Sequence, residues 1–240
     1  MDGDGRGDVL AVDSKGSLFL FLGTPQLGQN NGRLGATHHL GTGFASTRVY
    51  GPGDIDGDGK GDLLGISSDG GLWLYPGEGT MIGSKQKVGY GWTGWRLIPA
   101  GDLNGDKRPD ILGIDKDGKL FAYTGKGNGK FNQKFQVGYG WKGWELYAAG
   151  DLNGDKKNDI LGVDPAGRLF AYTGKGSGKF NPKFRVGYGW RAYTLAAGSD
   201  LNGDKLADIL GRNDANGDLY FYKGKGSGKF NLKIKIDTGW

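Results

Sequence analysis

The chain has 240 residues, of which 51 are glycine, 7 are proline and none is cysteine, and its formal net charge is +5. This glycine content argues against a helical protein, and the absence of a strict triplet period excludes collagen. Disulfides cannot contribute, and no run of about 18 apolar residues predicts a membrane span, which leaves a soluble, turn-rich chain as the expectation.

One acidic segment recurs along the chain with the pattern Asp-x-Asp/Asn-x-Asp-x-x-x-Asp. Complete copies occupy residues 54–62, 102–110, 151–159 and 200–208, and the chain opens inside a fifth copy. The first interval is longer because of an insertion at residues 24–35. A fixed period of this size indicates a repeat architecture. The sequence therefore predicts one domain of five repeats, at about 1–45, 46–93, 94–142, 143–191 and 192–240.

Each repeat predicts four short strands, as the fourth copy shows in chain order. The apolar run 159–163 follows the acidic loop, a turn at 164–167 leads to the aromatic run 168–173, and a Gly/Lys loop at 174–180 follows. A third strand is expected around 184–186, and a fourth at 193–197 precedes the next acidic loop. Four antiparallel strands per repeat are typical of a propeller blade. We expect an all-β propeller of five four-stranded blades.

The first blade is expected to be incomplete, because the strand that precedes each other acidic loop has no counterpart before residue 1. Two interpretations stay open. Either a five-bladed ring closes with its first blade one strand short, or these residues are part of a longer chain that carried more repeats. We favour the second interpretation and still expect the ring to close, because an unpaired edge invites self-association.

The acidic loops predict calcium sites. Oxygen ligands at alternating positions, separated by small glycines, resemble the logic of the EF-hand loop, and oxygen-only ligation suits Ca²⁺ better than zinc, which prefers His or Cys. Mg²⁺ is the weaker assignment because it demands stricter geometry. Up to five ions are expected, four of them in complete loops. The predicted ligands are Asp2, Asp4, Asp8, Asp54, Asp56, Asp58, Asp62, Asp102, Asn104, Asp106, Asp110, Asp151, Asn153, Asp155, Asp159, Asp200, Asn202, Asp204 and Asp208.

The competing interpretation of these loops is that Asp, Asn and Gly simply form turns. Turn chemistry does not require an aspartate at the ninth position, yet all five copies keep one. Several carboxylates packed together without a cation would also repel each other and raise their pKa values. Metal binding is therefore the preferred interpretation.

The acidic loops and the strands after them resemble the FG-GAP or VCBS repeats of integrin-α-type propellers. The resemblance rests on the five loops, on runs such as 110–114, and on the Leu-Phe-Ala-Tyr-Thr-Gly segments at 120–125 and 169–174. It implies that each loop joins the first and second strands of a blade and holds Ca²⁺. That family usually has seven blades. The style of repeat is similar to those appended to secreted cell-wall proteins of actinobacteria.

A second motif, Val-Gly-Tyr-Gly-Trp, begins at Val88, Val137 and Val186. Flanking glycines leave its rings uncrowded, and a flat aromatic face can stack on a sugar ring. The alternative is that these aromatics wedge between blades as core, which we weigh about equally for the first tryptophan of each motif and favour for Trp95 and Trp144. The candidate carbohydrate-binding residues are Tyr90, Trp92, Tyr139, Trp141, Tyr188, Trp190 and Trp240.

The recurrent Gly/Lys loops could meet an anionic polymer, but lysines beside outer strands more simply protect a blade edge. No nucleic-acid motif accompanies them, so no nucleic-acid partner is expected. His38 and His39 lack a nucleophile or a zinc-type spacing, and the acidic residues are accounted for as ligands, so we do not expect an enzyme. A catalytic domain could belong to a longer parent protein.

The sequence thus predicts a calcium-stabilised recognition module, the targeting part of an extracellular or cell-surface protein. Its expected partner is a cell-wall or surface glycan. A protein partner, as in an adhesion propeller, and a structural repeat fragment are the alternatives. A monomer is expected, although the incomplete first blade could allow self-association.

Overall fold

The computed structural model describes residues 8–22, 35–200 and 204–238, and every regular element within those ranges is a β-strand. None of the described elements is a helix that is long and apolar enough to cross a membrane. The strands are β1 (Val9–Val12), β2 (Leu18–Phe21), β3 (Thr37–Gly41), β4 (Arg48–Gly53), β5 (Asp62–Ile66), β6 (Leu72–Tyr75), β7 (Gln86–Gly89), β8 (Arg96–Gly101), β9 (Asp110–Ile114), β10 (Leu120–Tyr123), β11 (Phe135–Gly138), β12 (Glu145–Gly150), β13 (Asp159–Val163), β14 (Leu169–Tyr172), β15 (Phe184–Gly187), β16 (Tyr193–Ser199), β17 (Asp208–Asn213), β18 (Leu219–Tyr222) and β19 (Ile234–Asp237).

These strands form five antiparallel meanders, which are the blades of a propeller. Blade 1 is β1–β2–β3, and blades 2 to 5 are β4–β7, β8–β11, β12–β15 and β16–β19, each ordered as in the sequence. The first strands of blades 2 to 5 contact one another in succession, β4 with β8, β8 with β12 and β12 with β16. The predicted all-β, five-bladed propeller is confirmed.

Blade 1 has three strands among the described residues. Its β1 corresponds to the second strand of the other blades and pairs with β2. Strands β5, β9 and β13 are buried along their whole length, whereas Val9 and Val12 of β1 are exposed. In blades 2 to 5 a further strand pairs along the corresponding edge, as β4 pairs with β5.

The hydrophobic core is divided into four clusters, one between each consecutive pair of blades. The cluster between blades 2 and 3, for example, joins Leu64, Leu72 and Leu74 of one blade to Leu97 and Ile111 of the next. Successive side chains of a strand point to opposite faces of the sheet, and the middle strands of a blade bury side chains on both faces. Each blade is therefore stabilised mainly by its neighbours.

A large aromatic ring lies in each interface, at the position of the first tryptophan of the Gly-Tyr-Gly-Trp motif. Trp141 packs against Tyr172 of the following blade with ring centroids 5.0 Å apart. The equivalent pairs are Phe44–Tyr75 at 5.4 Å, Trp92–Tyr123 at 5.1 Å and Trp190–Tyr222 at 4.7 Å. We call Phe44, Trp92, Trp141 and Trp190 the wedge aromatics; all four are buried.

Glycine in the second strand of blades 3 and 4 makes room for these rings. A Cβ added at Gly162 would lie 3.2 Å from the ring of Trp144 and 3.3 Å from that of Trp141, and Gly113 stands in the same relation to Trp95 and Trp92. The small residue is required by the close approach of the rings to the strand backbone.

We predict that Trp141→Ala destabilises the protein by about 3–5 kcal/mol, because a buried interface ring is lost and a cavity remains. Tyr139→Ala, two residues away and 84% exposed, is the matched control and should change stability by less than about 0.5 kcal/mol. Urea unfolding of both variants measures the difference. Equal effects would contradict the wedge role of Trp141.

Candidate binding sites

Each complete acidic loop joins the first and second strands of a blade, and its first aspartate organises the loop backbone. The Asp151 carboxylate accepts hydrogen bonds from the backbone N–H groups of Gly154 at 2.7 Å and Lys156 at 2.7 Å. Asp54, Asp102 and Asp200 play the same part in their loops. A carboxylate that satisfies loop N–H groups in this way holds the turn in one conformation.

The sixth position of these loops adopts a left-handed backbone. It is Gly59 in the first complete loop, with φ of 88°, but Lys107, Lys156 and Lys205 in the others, with φ between 65° and 68°. A left-handed conformation costs a non-glycine residue about 1–2 kcal/mol. The loop hydrogen bonds to the first aspartate, which include the N–H of Lys107 and Lys156, offset this cost.

The ninth aspartate of each complete loop is buried, and its carboxylate accepts backbone hydrogen bonds that hold separate segments together. The Asp110 carboxylate accepts one hydrogen bond from Leu103 in its own loop and another from Gly125 after β10, both at 2.8 Å. Asp62 and Asp159 repeat this arrangement, and Asp208 accepts from Gly224. The sequence alone did not reveal that the ninth aspartate accepts these backbone hydrogen bonds. Each oxygen keeps a second lone pair, so cation binding by these residues stays a prediction.

Burial raises the pKa of three of the ninth aspartates, Asp62, Asp110 and Asp159. It raises the pKa of Asp110 and of Asp159 to about 6, partly offset by the backbone hydrogen bonds that favour the ionised form. The nearby loop carboxylates, Asp102 and Asp106 for Asp110, raise the pKa further. The loops therefore place carboxylates close to a buried ninth aspartate whose ionisation is disfavoured. A bound cation would reduce the repulsion between these carboxylates.

The first complete loop brings three carboxylates together. One oxygen from each of Asp54, Asp56 and Asp58 lies within 4.8 Å of the others. The third position is an amide in the next two loops, where Asn104 and Asn153 each accept the backbone N–H two residues on. These hard oxygen donors fit Ca²⁺, with the sequence-predicted first, third and fifth residues facing one loop interior.

In three loops a lysine lies near the fifth-position aspartate: Lys60 is 3.8 Å from Asp58 and Lys157 is 3.5 Å from Asp155. In the loop at residues 200–208 the lysine comes from outside the loop, and the Lys223 ammonium lies 3.0 Å from the Asp204 carboxylate. The carboxylate raises the pKa of Lys223 in return. The predicted ligands Asp2, Asp4 and Asn202 lie outside the described residues, as does Trp240. Asp8 is described and precedes β1.

The acidic loops also link neighbouring blades. The backbone N–H of Gly129, in the Gly/Lys loop of blade 3, donates to the carbonyl of Ile55 in the acidic loop of blade 2 at 3.0 Å. The bonds from Gly178 to Leu103 and from Gly228 to Leu152 repeat this link one and two blades later. The Gly/Lys loops thus help to hold one blade to the next, and the acidic loop conformation is coupled to the interface.

The aromatic motif separates into exposed and buried rings, which corrects part of the sequence analysis. Tyr90 is 88% exposed, and Tyr139 and Tyr188 are each 84% exposed. Trp92, Trp141 and Trp190 are buried wedge aromatics and offer no free face to a ligand, so their prediction as carbohydrate-binding residues is wrong. The reason is that the following blade supplies a tyrosine against which each tryptophan packs.

The second aromatic of each motif is partly buried and is covered by a lysine. Lys134 lies over both Trp95, at 4.3 Å from the ring centroid, and Phe121, at 4.6 Å. Lys183 covers Trp144 and Phe170 in the next blade at 4.4 and 4.5 Å. These cation–π contacts were not found from the sequence, although the lysine recurs three residues after the Lys-Phe pair of each Gly/Lys loop.

Known structures share this fold at low identity. A lectin from Agrocybe aegerita, described by its specific recognition of non-reducing terminal N-acetylglucosamine, is 22% identical with a TM-score of 0.60, and the match covers 97% of this chain and 63% of the lectin. The BP39L lectin from Burkholderia pseudomallei is 15% identical with a TM-score of 0.59, covering 96% and 66%.

A component of the Photorhabdus luminescens Tc holotoxin pore is 16% identical with a TM-score of 0.55, and the match covers 98% of this chain but 11% of that one. The chain therefore spans less than two thirds of the length of each of these proteins. At such identities the likeness concerns the fold alone. No curated protein matches the sequence.

The repeats of this chain match a known repeat family. The model of the FG-GAP-like repeat matches four overlapping segments, residues 1–65, 54–112, 102–162 and 151–210, which together extend over most of the chain. Each segment spans one or two acidic loops and the strands that follow. With five blades built on this repeat, the chain belongs to the FG-GAP-like repeat family.

Proposed function

We propose that this chain is a calcium-binding recognition propeller that binds carbohydrate of a cell wall or cell surface, as the targeting part of an extracellular protein. The observation that carries the proposal is the set of three exposed tyrosines, Tyr90, Tyr139 and Tyr188, at the same place in consecutive repeats.

The position of these tyrosines leaves their rings accessible. Each lies in the connection between the outer strand of one blade and the wedge aromatic that follows, next to a glycine with positive φ. Apart from the glycine itself and its two chain neighbours, no heavy atom lies within 4 Å of a Cβ built on Gly91, Gly140 or Gly189. A pyranose presents a C–H face that packs on an uncovered aromatic ring, while its hydroxyls and the tyrosine hydroxyl stay hydrated.

Repetition strengthens weak sites. A single stacked ring contributes about 0.5–1.5 kcal/mol beyond burial of area, which is too little for useful affinity alone. Three such rings on one rigid ring of blades can engage one polymer together, and avidity then raises the overall affinity by about two to four orders of magnitude. A repetitive glycan suits this arrangement.

The calcium part of the proposal is supported by the acidic loops. Convergent carboxylates at Asp54, Asp56 and Asp58, together with buried ninth aspartates of raised pKa, leave negative charge that a divalent cation would neutralise. Many-ligand oxygen loops of this kind suit compartments in which Ca²⁺ is abundant, which supports an extracellular location.

A binding role is favoured over catalysis. Within the described ranges the acidic clusters organise loops, and the ring of His39 packs on Phe19 at 5.2 Å. Two of the structures that share the fold are lectins, which gives a first probe, oligomers of N-acetylglucosamine.

Replacing Tyr90, Tyr139 and Tyr188 together by alanine should abolish retention on insoluble bacterial cell walls and on N-acetylglucosamine oligomers. Single replacements should weaken binding to a soluble oligomer by about fivefold, the equivalent of about 1 kcal/mol per lost ring contact. Leu232→Ala, at an equally exposed side chain outside the motif, is the control. Unchanged retention of the triple variant would sink the role of the tyrosines, and retention of a protein from the same surface would favour a protein partner.

Calcium should raise the melting temperature of the chain, and EDTA should reverse the rise. At a concentration of about one hundred times Kd, each ion bound only by the native state adds about 2.7 kcal/mol to the free energy of unfolding. Asp106→Asn should lose part of the calcium-dependent rise with little change in EDTA, because it removes a candidate ligand charge.

Two further variants make this test specific. Asp110→Asn should destabilise the protein in EDTA as well, since an amide cannot accept both backbone hydrogen bonds that Asp110 accepts. Asp117→Asn, at an exposed hairpin turn outside the acidic loops, should leave the calcium response intact. A melting temperature that ignores calcium would rule out the metal sites.

A further inference from the structure

One junction between blades contains a pocket. It lies between blades 1 and 2, has a volume of about 400 Å³, and is lined by the end of β3 and the loop after it, by β6, and by the segment before β7. Its polar and aromatic lining includes Thr42, Thr47, Ser67, Trp73, Tyr75 and Lys85. Small-molecule sites in proteins typically enclose roughly 300–1,000 Å³, so the pocket has room for one compact ligand.

The pocket exists because one repeat lacks the second aromatic of the motif. The backbone N–H of Thr47 donates to the carbonyl of the wedge aromatic Phe44, as Trp95 does to Trp92 and Trp144 does to Trp141. Thr47 therefore stands where the other junctions have Trp95, Trp144 or Tyr193. A threonine cannot fill the volume of an indole, and the space it leaves opens to solvent.

The ring opposite Thr47 consequently has a different neighbour. In blade 3 the equivalent ring, Phe121, packs against Trp95 at 5.5 Å, and Phe170 packs against Trp144 at 5.6 Å in blade 4. In blade 2 that position is Trp73, which faces the pocket instead of a second ring. Two lysines lie over this ring, with the Lys85 and Lys87 ammonium groups 4.8 and 5.5 Å from the Trp73 ring centroid.

The indole of Trp73 is held in place before any ligand arrives. Its Nε1–H donates to the Ser67 hydroxyl at 3.1 Å, and that hydroxyl donates to the Asp69 carboxylate. Asp69 also accepts the backbone N–H of Gly71 at 3.1 Å. The phenylalanines at the equivalent positions of blades 3 and 4 have no N–H to anchor. A ring fixed in this way loses little conformational freedom on binding, which favours affinity.

We propose that this pocket binds a single pyranose unit of a glycan, with Trp73 as the stacking platform and with Thr42, Thr47 and Lys85 as hydrogen-bonding groups. The lining combines aromatic rings with neutral hydroxyls and the Lys85 ammonium, which suits a ligand with one apolar and one polar face. The proposal rests on the proposed carbohydrate function, and it distinguishes one deep site from the three shallow tyrosine sites.

The test is isothermal titration calorimetry of the whole chain with N-acetylglucosamine, glucose, galactose and fucose, and with N-acetylglucosamine oligomers. We expect one monosaccharide to bind with a stoichiometry of one per chain. Thr47→Trp, which introduces the residue found at the other junctions, should abolish that binding while keeping or raising the melting temperature. Ser46→Trp, an exposed neighbour outside the pocket lining, is the matched control and should bind as the unmodified chain does.

A second variant that fills the pocket keeps the test decisive if Thr47→Trp misfolds. Thr47→Leu adds less volume and should weaken binding while preserving the fold. If Thr47→Trp and Thr47→Leu both bind the sugar with unchanged stoichiometry and affinity, the pocket is not the site, although carbohydrate binding through the tyrosines would stand. If the unmodified chain binds no sugar in solution or on cell walls, both the pocket and the proposed function are overturned.

Discussion

The packing of one aromatic ring between each pair of blades is the contact on which the rest of the structure depends. A four-stranded meander has two faces and cannot bury both of them alone, so each blade needs a neighbour on each side. Trp92, Trp141 and Trp190 fill these interfaces together with a tyrosine from the next blade. The glycines beneath the rings, the buried β5, β9 and β13 strands and the exposure of the adjacent tyrosines all follow from where the wedge aromatic sits.

The acidic loops perform a second joining function at the other end of the same strands. Their carboxylates satisfy backbone N–H groups within the loop, and the second residues of three loops, Ile55, Leu103 and Leu152, each accept a hydrogen bond from the next blade. A cation bound in such a loop would therefore stabilise an interface as well as a turn. The acidic residues are therefore structural in their own right, and the proposed calcium binding would act on the same loops.

Differences between the repeats set single junctions apart, since identical repeats would build identical interfaces. Thr47 replaces an aromatic ring and opens a pocket at one junction, and Trp73 replaces a phenylalanine and gains an anchoring hydrogen bond to Ser67. Lys223 places an ammonium beside the fifth acidic loop, where other blades have no lysine at that position. A change at one junction of a propeller leaves the stability of the other junctions largely unchanged, because each interface is stabilised largely on its own.

The sequence by itself determined the repeat, the strand order within a blade and the five-bladed architecture, because these depend on local periodicity and on recurrent turn residues. It also located the acidic loops and the aromatic motif. It could not separate Tyr139 from Trp141, since both are large aromatics flanked by glycine, and only the approach of Tyr172 from the next blade buries one and exposes the other. The hydrogen bonds by which Asp110 joins its loop to Gly125, and the pocket beside Thr47, were likewise decided by tertiary structure. Both depend on segments that the fold brings together, the end of β10 in the first case and the junction of two blades in the second.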